Sequence, residues 1–250
     1  WEKILLVTDD TNATDSDSDP EKKFSIVRCS DEANLIKKFA RLVEKKGVDF
    51  LYGYNSDQFD VRYLFIRAEL LGVGAEFRSM LSRFKNHEAC LVQSTLVSAA
   101  FGENEYFKAH IMGRVCADVM NIIQRDPTKK FSSYSLNNVS LSLIGESKDD
   151  VTAAEMFEAF RLKDSAKLGV VGAYCIQDSV LVQRLVDKLT ILSAALEMSN
   201  VCGIPLNYVF HRGQQIKVYS KLCQKAYENE VAVPDVIEYS EYDVDEDESY

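Results

Sequence analysis

The sequence predicts an α/β fold whose sheet is not all parallel, and three observations lead there. Short apolar runs suited to strands, Ile4–Thr8, Phe24–Cys29 and residues 48–54, precede or alternate with segments of 3.6-residue apolar periodicity. The order reads strand, strand, helix, strand, helix, strand and then helices, which is an α/β order with a mixed sheet. At Asn55 the third apolar run stops and a helical pattern opens at once, with Phe59, Tyr63, Ile66 and Leu70 on one face. Asp60 therefore falls in the first turn of a helix just past a strand end, where the loops of an open α/β sheet converge on a crevice. A carboxylate there complements the helix dipole or ligates a metal, and the stretch alone leaves both open.

Taken in order, Asp31 caps a helix with Leu35, Ile36, Phe39, Leu42 and Val43 on its buried face. Lys45 and Lys46 sit in its last turn and Gly47 stops it. Ser56 or Asp57 is expected to cap the helix that carries Asp60. Residues 72–110 are weakly patterned, with a strand expected near Glu105–Lys108. Residues 113–123 alternate through Val115, Ala117 and Val119 and read as a strand. Ser132–Asn137 opens a helix using Leu136, Val139, Leu143 and Ile144, ended by Gly145. Helices follow near 152–160, over a long stretch 164–197, and over 213–229 with Ile216, Tyr219, Leu222 and Ala226 buried.

Composition narrows the classes. The 250 residues suffice for one large domain or one domain and part of another. A mean hydropathy of −0.16 argues against a membrane protein, and no apolar run approaches the roughly 18 residues that span a bilayer. Trp1-Glu2-Lys3-Ile4 lacks a basic, signal-like opening and an initiator Met, and reads as the interior of a larger protein that is not secreted. Six scattered cysteines without C-x-x-C suit reduced, mostly buried thiols rather than a disulfide or zinc framework. His87, His110 and His211 have no metal-ligand spacing.

The net charge of −10 is unevenly placed. Residues 9–21 carry six acids and residues 235–248 carry eight, neither with a base. Setting aside those fourteen leaves 25 of the 39 acids against 29 Lys and Arg, a net of +4, so acidity does not exclude DNA. The two acidic segments have the composition of disordered ones.

A second informative site lies in the long helix at Gly172–Ser179. Ile176, Val180, Leu181, Leu185 and Leu189 form its apolar side, and Tyr174 and Asp178, four apart, share a face. A carboxylate with a phenol one turn away suits holding a metal and orienting water, although a Tyr–Asp pair on a helix is ordinarily a surface hydrogen bond. Two-metal phosphodiester cleavage needs several carboxylates around ions about 4 Å apart, and Mg²⁺ favours such all-oxygen ligation.

Together, Tyr52–Leu64, Tyr174–Asp178, Gly113-Arg114-Val115 through Asp118, Ser133–Asn137 with Val139, and Gly145-Glu146 with Asp149-Asp150-Val151 resemble the family B DNA polymerases. The likeness is to their proofreading 3′–5′ exonuclease domain, in the delta-like branch that includes large eukaryotic DNA viruses. Cys202–Pro205 and Arg212–Val218 are similar to the segment that joins exonuclease to palm. The resemblance runs over about residues 24 to 234. It implies a ribonuclease-H-like mixed-sheet fold. The expected division is an exonuclease domain lacking its first strand at 1–197, a helical connection toward the palm at 198–234, and an acidic spacer at 235–250.

Carried over residue by residue, the resemblance implies that Asp178 ligates the more tightly held of two Mg²⁺ (or Mn²⁺) ions and Asp60 serves the second. Tyr174 would orient the attacking water, and Asn55 and Phe59 would hold the primer 3′ end. Asp118 matches a family position, with a structural role at a strand end expected. Lys217, Lys221 and Lys225 recur every four residues, an ordinary solvated face that, with Arg212, is expected to contact DNA phosphate. Expected partners are the single-stranded primer end, primer–template duplex, the rest of the polymerase chain, and a sliding clamp or accessory subunit. No membrane partner is expected. The expected setting is the nucleus or a cytoplasmic viral replication site.

Two departures limit the activity expected of this chain. The family's first exonuclease motif is D-x-E on a strand, and the D-x-E here, Asp19-Pro20-Glu21, contains a Pro that a central strand disfavours. The true motif is expected upstream of Trp1. The palm signatures D-x-x-S-L-Y-P-S and Y-G-D-T-D-S are absent from the 250 residues. The chain is therefore expected to belong to a polymerase and to be inactive alone. The alternative is a non-catalytic DNA-binding or assembly module from a split or degenerate polymerase.

Overall fold

A computed structural model describes residues 2–8, 11, 24–98, 102–147 and 151–233, with the backbone alone over 94–98 and 102–106. Asp19-Pro20-Glu21, Asp149-Asp150, the acidic run 235–248, and all of the 9–21 run but Thr11 lie outside the described residues. The chain divides into two units, residues 1–194 and 195–250.

The first unit is mixed α/β. Strands β1 (Ile4–Val7) and β2 (Ser25–Arg28) pair in parallel, Ile4 opposite Ser25. A parallel pair needs a crossover of a dozen or more residues, which explains why so long a connection separates two short consecutive strands. Helix α1 (Glu32–Lys45) starts as its sequence directs, with Asp31 Oδ1 accepting from the Asn34 N–H at 2.8 Å. It ends at Gly47 in the left-handed region (φ 61°), where the Val48 N–H reaches the Val43 carbonyl. Ile36, Ala40 and Val43 are its buried residues, with Phe39 packed beside them.

Strand β3 (Phe50–Gly53) leads through a six-residue loop to helix α2 (Asp60–Leu70), followed by α3 (Gly74–Leu81). Phe59, Tyr63, Ile66 and Leu70 share one face of α2, but that face points outward, at 68%, 60%, 44% and 70% exposed. The core side of α2 is carried by Phe65 and Ala68 instead, and Phe65 meets Phe77 of α3 edge to face at 5.3 Å. The expected cap is also absent. Ser56 and Asp57 are buried within an extra turn, and Phe59 occupies the N-cap position without a side-chain hydrogen bond.

The weakly patterned region folds into α3 and an antiparallel ribbon, β4 (Cys90–Ser98) with β5 (Gly102–His110). Strand β6 (Val115–Asp118) pairs in parallel with β3, Gly53 opposite Asp118. The strand expected over 113–123 is thus cut short, because Asp118 caps helix α4 (Val119–Gln124) through the Met120 and Asn121 N–H groups. Buried Arg114 is a structural tie, donating Nε to the Leu81 carbonyl at 2.7 Å and Nη1 to that of Val48. Among the described residues the strands form three two-stranded sheets rather than one mixed sheet.

Helices α5 (Leu136–Ile144), α6 (Ala153–Leu162) and α7 (Ser165–Lys188) follow, with Gly145 ending α5 at φ 73°. A capping box of Thr152 and Glu155 opens α6. The helix expected over 164–197 is interrupted. Thr190 takes the left-handed conformation (φ 50°) and divides α7 from α8 (Ile191–Cys202). Leu181, Val182, Leu185 and Val186 carry the buried side of α7. Near its start Gly172 lies against Leu5 of β1, where an added Cβ would come within 2.6 Å of Leu5 Cδ2.

In the second unit, Gly203 (φ 64°) ends α8, and α9 (Leu206–His211) and α10 (Gln214–Glu228) follow. Ser220 and Gln224 of α10 donate to the Gly203 and Cys202 carbonyls at 3.3 Å. That rotation leaves Tyr219 and Leu222 exposed at 51% and 61%, and α10 has no fully buried residue, contrary to the apolar face expected. The six cysteines are free; Cys116 and Cys202 are buried while Cys90 and Cys175 are exposed, so the thiols are less buried than expected. Among the described residues no helix is long and apolar enough to cross a membrane.

Candidate active site

The parallel pairing of β3 with β6 brings two chain ends together, and the site grows from that junction. Gly53 is the last residue of β3, and the loop folds back on it so closely that an added Cβ would sit 2.6 Å from Ser56 Cβ. Asn55 adopts φ 58°, a conformation Asn tolerates better than most residues. The loop is fastened by Asp118. Its Oδ1 accepts from the Asn55 N–H at 3.0 Å and its Oδ2 from the Asp57 N–H at 3.2 Å, while Met120 and Asn121 donate to Oδ1. One buried carboxylate thus ends a strand, starts a helix and shapes the loop that presents Asp60.

Two tyrosines tie β3 and its loop to the elements opposite. Tyr52 donates its hydroxyl to the Gln183 side-chain carbonyl on α7, and Tyr54 donates to the Tyr134 carbonyl at 2.7 Å. Burial raises the Tyr54 phenol well above its ordinary range, keeping it a donor. Gln183 lies five residues beyond Asp178, so the Tyr52 bond sets β3 against the segment of α7 that carries Asp178. Arg184 of α7 in turn pairs with Glu146, just past the end of α5.

Between β3 and α7 lies a cavity of about 640 Å³. Asp57, Asp60 and Asp178 line it together with apolar residues that include Leu51, Phe65, Phe77 and Leu81. The structure therefore brings Asp60 and Asp178 to one cleft. Asn55, Phe59 and Tyr174 do not line it: Asn55 is half-buried in the loop, Phe59 is exposed beside Asp60, and Tyr174 is half-buried one turn before Asp178. Asp178 takes part in interactions of its own, and its Oδ1 is buried. Arg212, Lys217 and Lys221 belong to the second unit, where Arg212 stacks over Tyr208 at 5.4 Å, Lys217 is half-buried and Lys221 donates to Gln224.

The electrostatics favour neutralising this corner. Burial raises the carboxyls of Asp57, Asp60 and Asp118, and the charge of Asp118 pushes the first two further. Asp57, pushed up to about 6, is the extreme case. The sequence points to Asp57 only as a helix cap, and Tyr52 and Tyr54 stand in the same stretch with no role of their own.

The Asp57 shift has a testable sign. Above pH 6 the charged carboxylate is disfavoured in the folded state and unpenalised in the unfolded one. Below about 4 it is neutral in both. Stability from this group is thus present at low pH and lost as pH rises from about 4 to about 6. In metal-free buffer Asp57→Asn should stabilise the chain by about 1–3 kcal/mol at pH 8 and by almost nothing at pH 4. Thermal melts across that range read the difference, and a gain of equal size at both ends would contradict the assignment.

Among the described residues no group of three or more His, Cys, Asp and Glu is placed to hold a metal ion. What is present on the shared cleft is Asp60 and Asp178, with buried Asp57 beside them. That fits an ion completing its shell with substrate phosphate and water, as Mg²⁺ does with one or two carboxylates.

Comparison with known proteins bears on what this cleft is. Residues 3–139 match the model of the DNA polymerase family B exonuclease domain. The DNA polymerase delta catalytic subunit of Schizosaccharomyces pombe is 35% identical over 206 residues, covering 82% of this chain and 18% of the relative. That of Dictyostelium discoideum is 37% identical over 203 residues, 81% of this chain and 18% of the relative. DNA polymerase 120R of Invertebrate iridescent virus 3 is 34% identical over 233 residues, 90% of this chain and 20% of the relative. The chain thus spans 18–20% of the length of these relatives. The matched segment contains β3, the loop, Asp60 and Asp118, and the alignments extend over most of the chain. The chain belongs to the family B DNA polymerases, through their exonuclease domain.

Proposed function

We propose that this chain is the 3′–5′ proofreading segment of a replicative DNA polymerase, hydrolysing the phosphodiester at a frayed primer end. The observation that carries this reading is the shared cleft. Asp60, from a strand-to-helix junction, and Asp178, from α7, meet on one cavity although 118 positions separate them in the sequence. Asp178 and Asp60 would hold Mg²⁺ or Mn²⁺, which when bound polarises the phosphate and activates water. Tyr174, one turn from Asp178, would orient that water. Asn55 and exposed Phe59 would grip the terminal nucleotide, Phe59 by apolar contact with a base. Arg212, Lys217 and Lys221 would contact phosphate in the connection toward the palm at 198–234.

The cavity also supports the ribonuclease-H-like reading and the expectation that the site is shared with another segment. Native interiors are close-packed, and a cavity of about 640 Å³ beside a strand is room for several side chains. Among the described residues β3 is hydrogen-bonded to β6 alone. An extended segment adding to its other edge would fill the apolar end with alternate side chains and bring further carboxylates to Asp60 and Asp178. That segment carries the D-x-E pair, and residues 2–233 by themselves are inactive. The same reading places the parent enzyme in the nucleus or at a viral replication site, with primer–template DNA and the rest of the polymerase as partners.

The test is incubation of the purified chain with 5′-labelled single-stranded DNA and Mg²⁺ or Mn²⁺. No shortening is expected. Shortening that disappears in Asp178→Ala would show a complete site within the chain. A split or degenerate scaffold remains a second reading only if the same residues also prove dispensable in a whole polymerase.

A further inference from the structure

A groove that shares no lining residue with the Asp60–Asp178 cavity, between the end of β2 and the first half of α1, has a volume of about 220 Å³ and is lined by Arg28, Lys37, Lys38 and Arg41 together with Cys29, Ser30 and Asn34. No acid lines it. Among the described residues Asp31 beside it is spent on capping α1, and Glu76 of α3 pairs with Arg41 at 3.1 Å and lies 3.8 Å from Lys37. Arg28 is anchored by donating Nη2 to the Thr11 carbonyl at 2.9 Å. Lys38 and Arg41 are exposed, and Lys45 continues their line one turn further along α1. Lys38 to Lys45 spans about 10 Å of helix rise, so the cations form a track rather than a point, wider than a single phosphate ion needs.

We infer that the β2–α1 groove is a sequence-independent contact for the phosphate backbone of a DNA strand, outside the cleft of Asp60 and Asp178. The inference rests on the proposed function only for the choice of DNA as the polyanion. The chemistry of the groove is that of backbone positioning: two flexible ammonium groups, two guanidinium forks and a hydroxyl, with no aromatic ring among the described lining residues to read or stack a base. Glu76 sets its strength by holding part of the charge of Arg41 and Lys37.

Binding of a labelled single-stranded oligonucleotide to the 250-residue chain, measured in EDTA over a salt series, tests this without involving metal or cleavage. Lys38→Gln with Arg41→Gln should weaken binding about tenfold or more at 50 mM salt and flatten the log–log salt slope by about 1.4, the release expected for two contacts. Glu76→Gln should tighten binding and steepen the slope, a gain that a misfolded variant would not give. Any other combination of outcomes overturns the inference. So does displacement of the DNA by inorganic phosphate beyond its effect as salt, which would mark a pocket for the free ion. The binding assay contains no metal and excision is read separately, so failure of the proofreading reading and failure of the groove are separately visible.

Discussion

Replacing the matching segment of the iridescent-virus polymerase with residues 2–233 of this chain should preserve removal of a mismatched primer end, and Asp178→Ala in that chimera should slow it about a thousandfold. The size follows from the role proposed for the carboxylate. Losing a metal ligand removes several kcal/mol of transition-state stabilisation, and each 1.36 kcal/mol is a factor of ten. Asp60→Ala should produce a loss of similar order, and the double substitution should be little worse than either alone, because the two act as one unit. Primer extension by the same chimera serves as the fold control, since its carboxylates lie outside this chain. Normal extension with unimpaired excision in Asp178→Ala would end the proofreading assignment and leave the scaffold reading in its place. Tyr174→Phe should fall between, lowering the rate of excision more than the affinity for DNA, if the phenol orients water.

The largest effect on stability should come from Asp118→Ala, which should cost the chain about 3 kcal/mol and lower its melting temperature by about 6–12 °C. Asp118 is 4% exposed and accepts four backbone N–H groups, two from the loop after β3 and two from the first turn of α4. Loss of a helix cap accounts for about 1 kcal/mol, and leaving buried loop donors without an acceptor accounts for the rest. Asp118→Asn should be milder. It keeps an oxygen for three of the donors but turns an amide N–H₂ toward the Asp57 N–H, while removing a buried charge that its surroundings disfavour. Scanning calorimetry at pH 7.5 measures both, and an alanine variant melting within about 2 °C of the unsubstituted chain would refute the fastening role.

What could be read ahead of the structure divides along physical lines. Helices whose ends carry their own chemistry were legible. Asp31 and Gly47 bound α1 and Gly145 ends α5, because caps and left-handed turns are decided within a few residues. Boundaries set by distant partners were not. The β6 strand stops at Asp118 because that side chain is recruited by a loop 61 and 63 residues earlier. The ribbon of β4 and β5 was hidden because its ladder joins strands whose own patterns are weak. The outward stripe of α2 had the right period, but periodicity reports that apolar residues share a face and not which way the face turns.

The sequence by itself determined the chemistry on offer: which carboxylates stand at a strand-to-helix junction and on a long helix, and, through ordered motifs, which family of enzymes arranges them so. Those are local facts of residue type and spacing. Only the tertiary structure decided that Asp60 and Asp178 open on one cavity, that Asp118, expected in a structural role at a strand end, also fastens the loop after β3, and that Tyr52 and Tyr54 brace β3 against the elements opposite. The physical reason is that burial and convergence are properties of pairs of segments far apart in the chain. Parallel pairing of β3 with β6, and packing against α7, creates them, and neither is written in any one stretch.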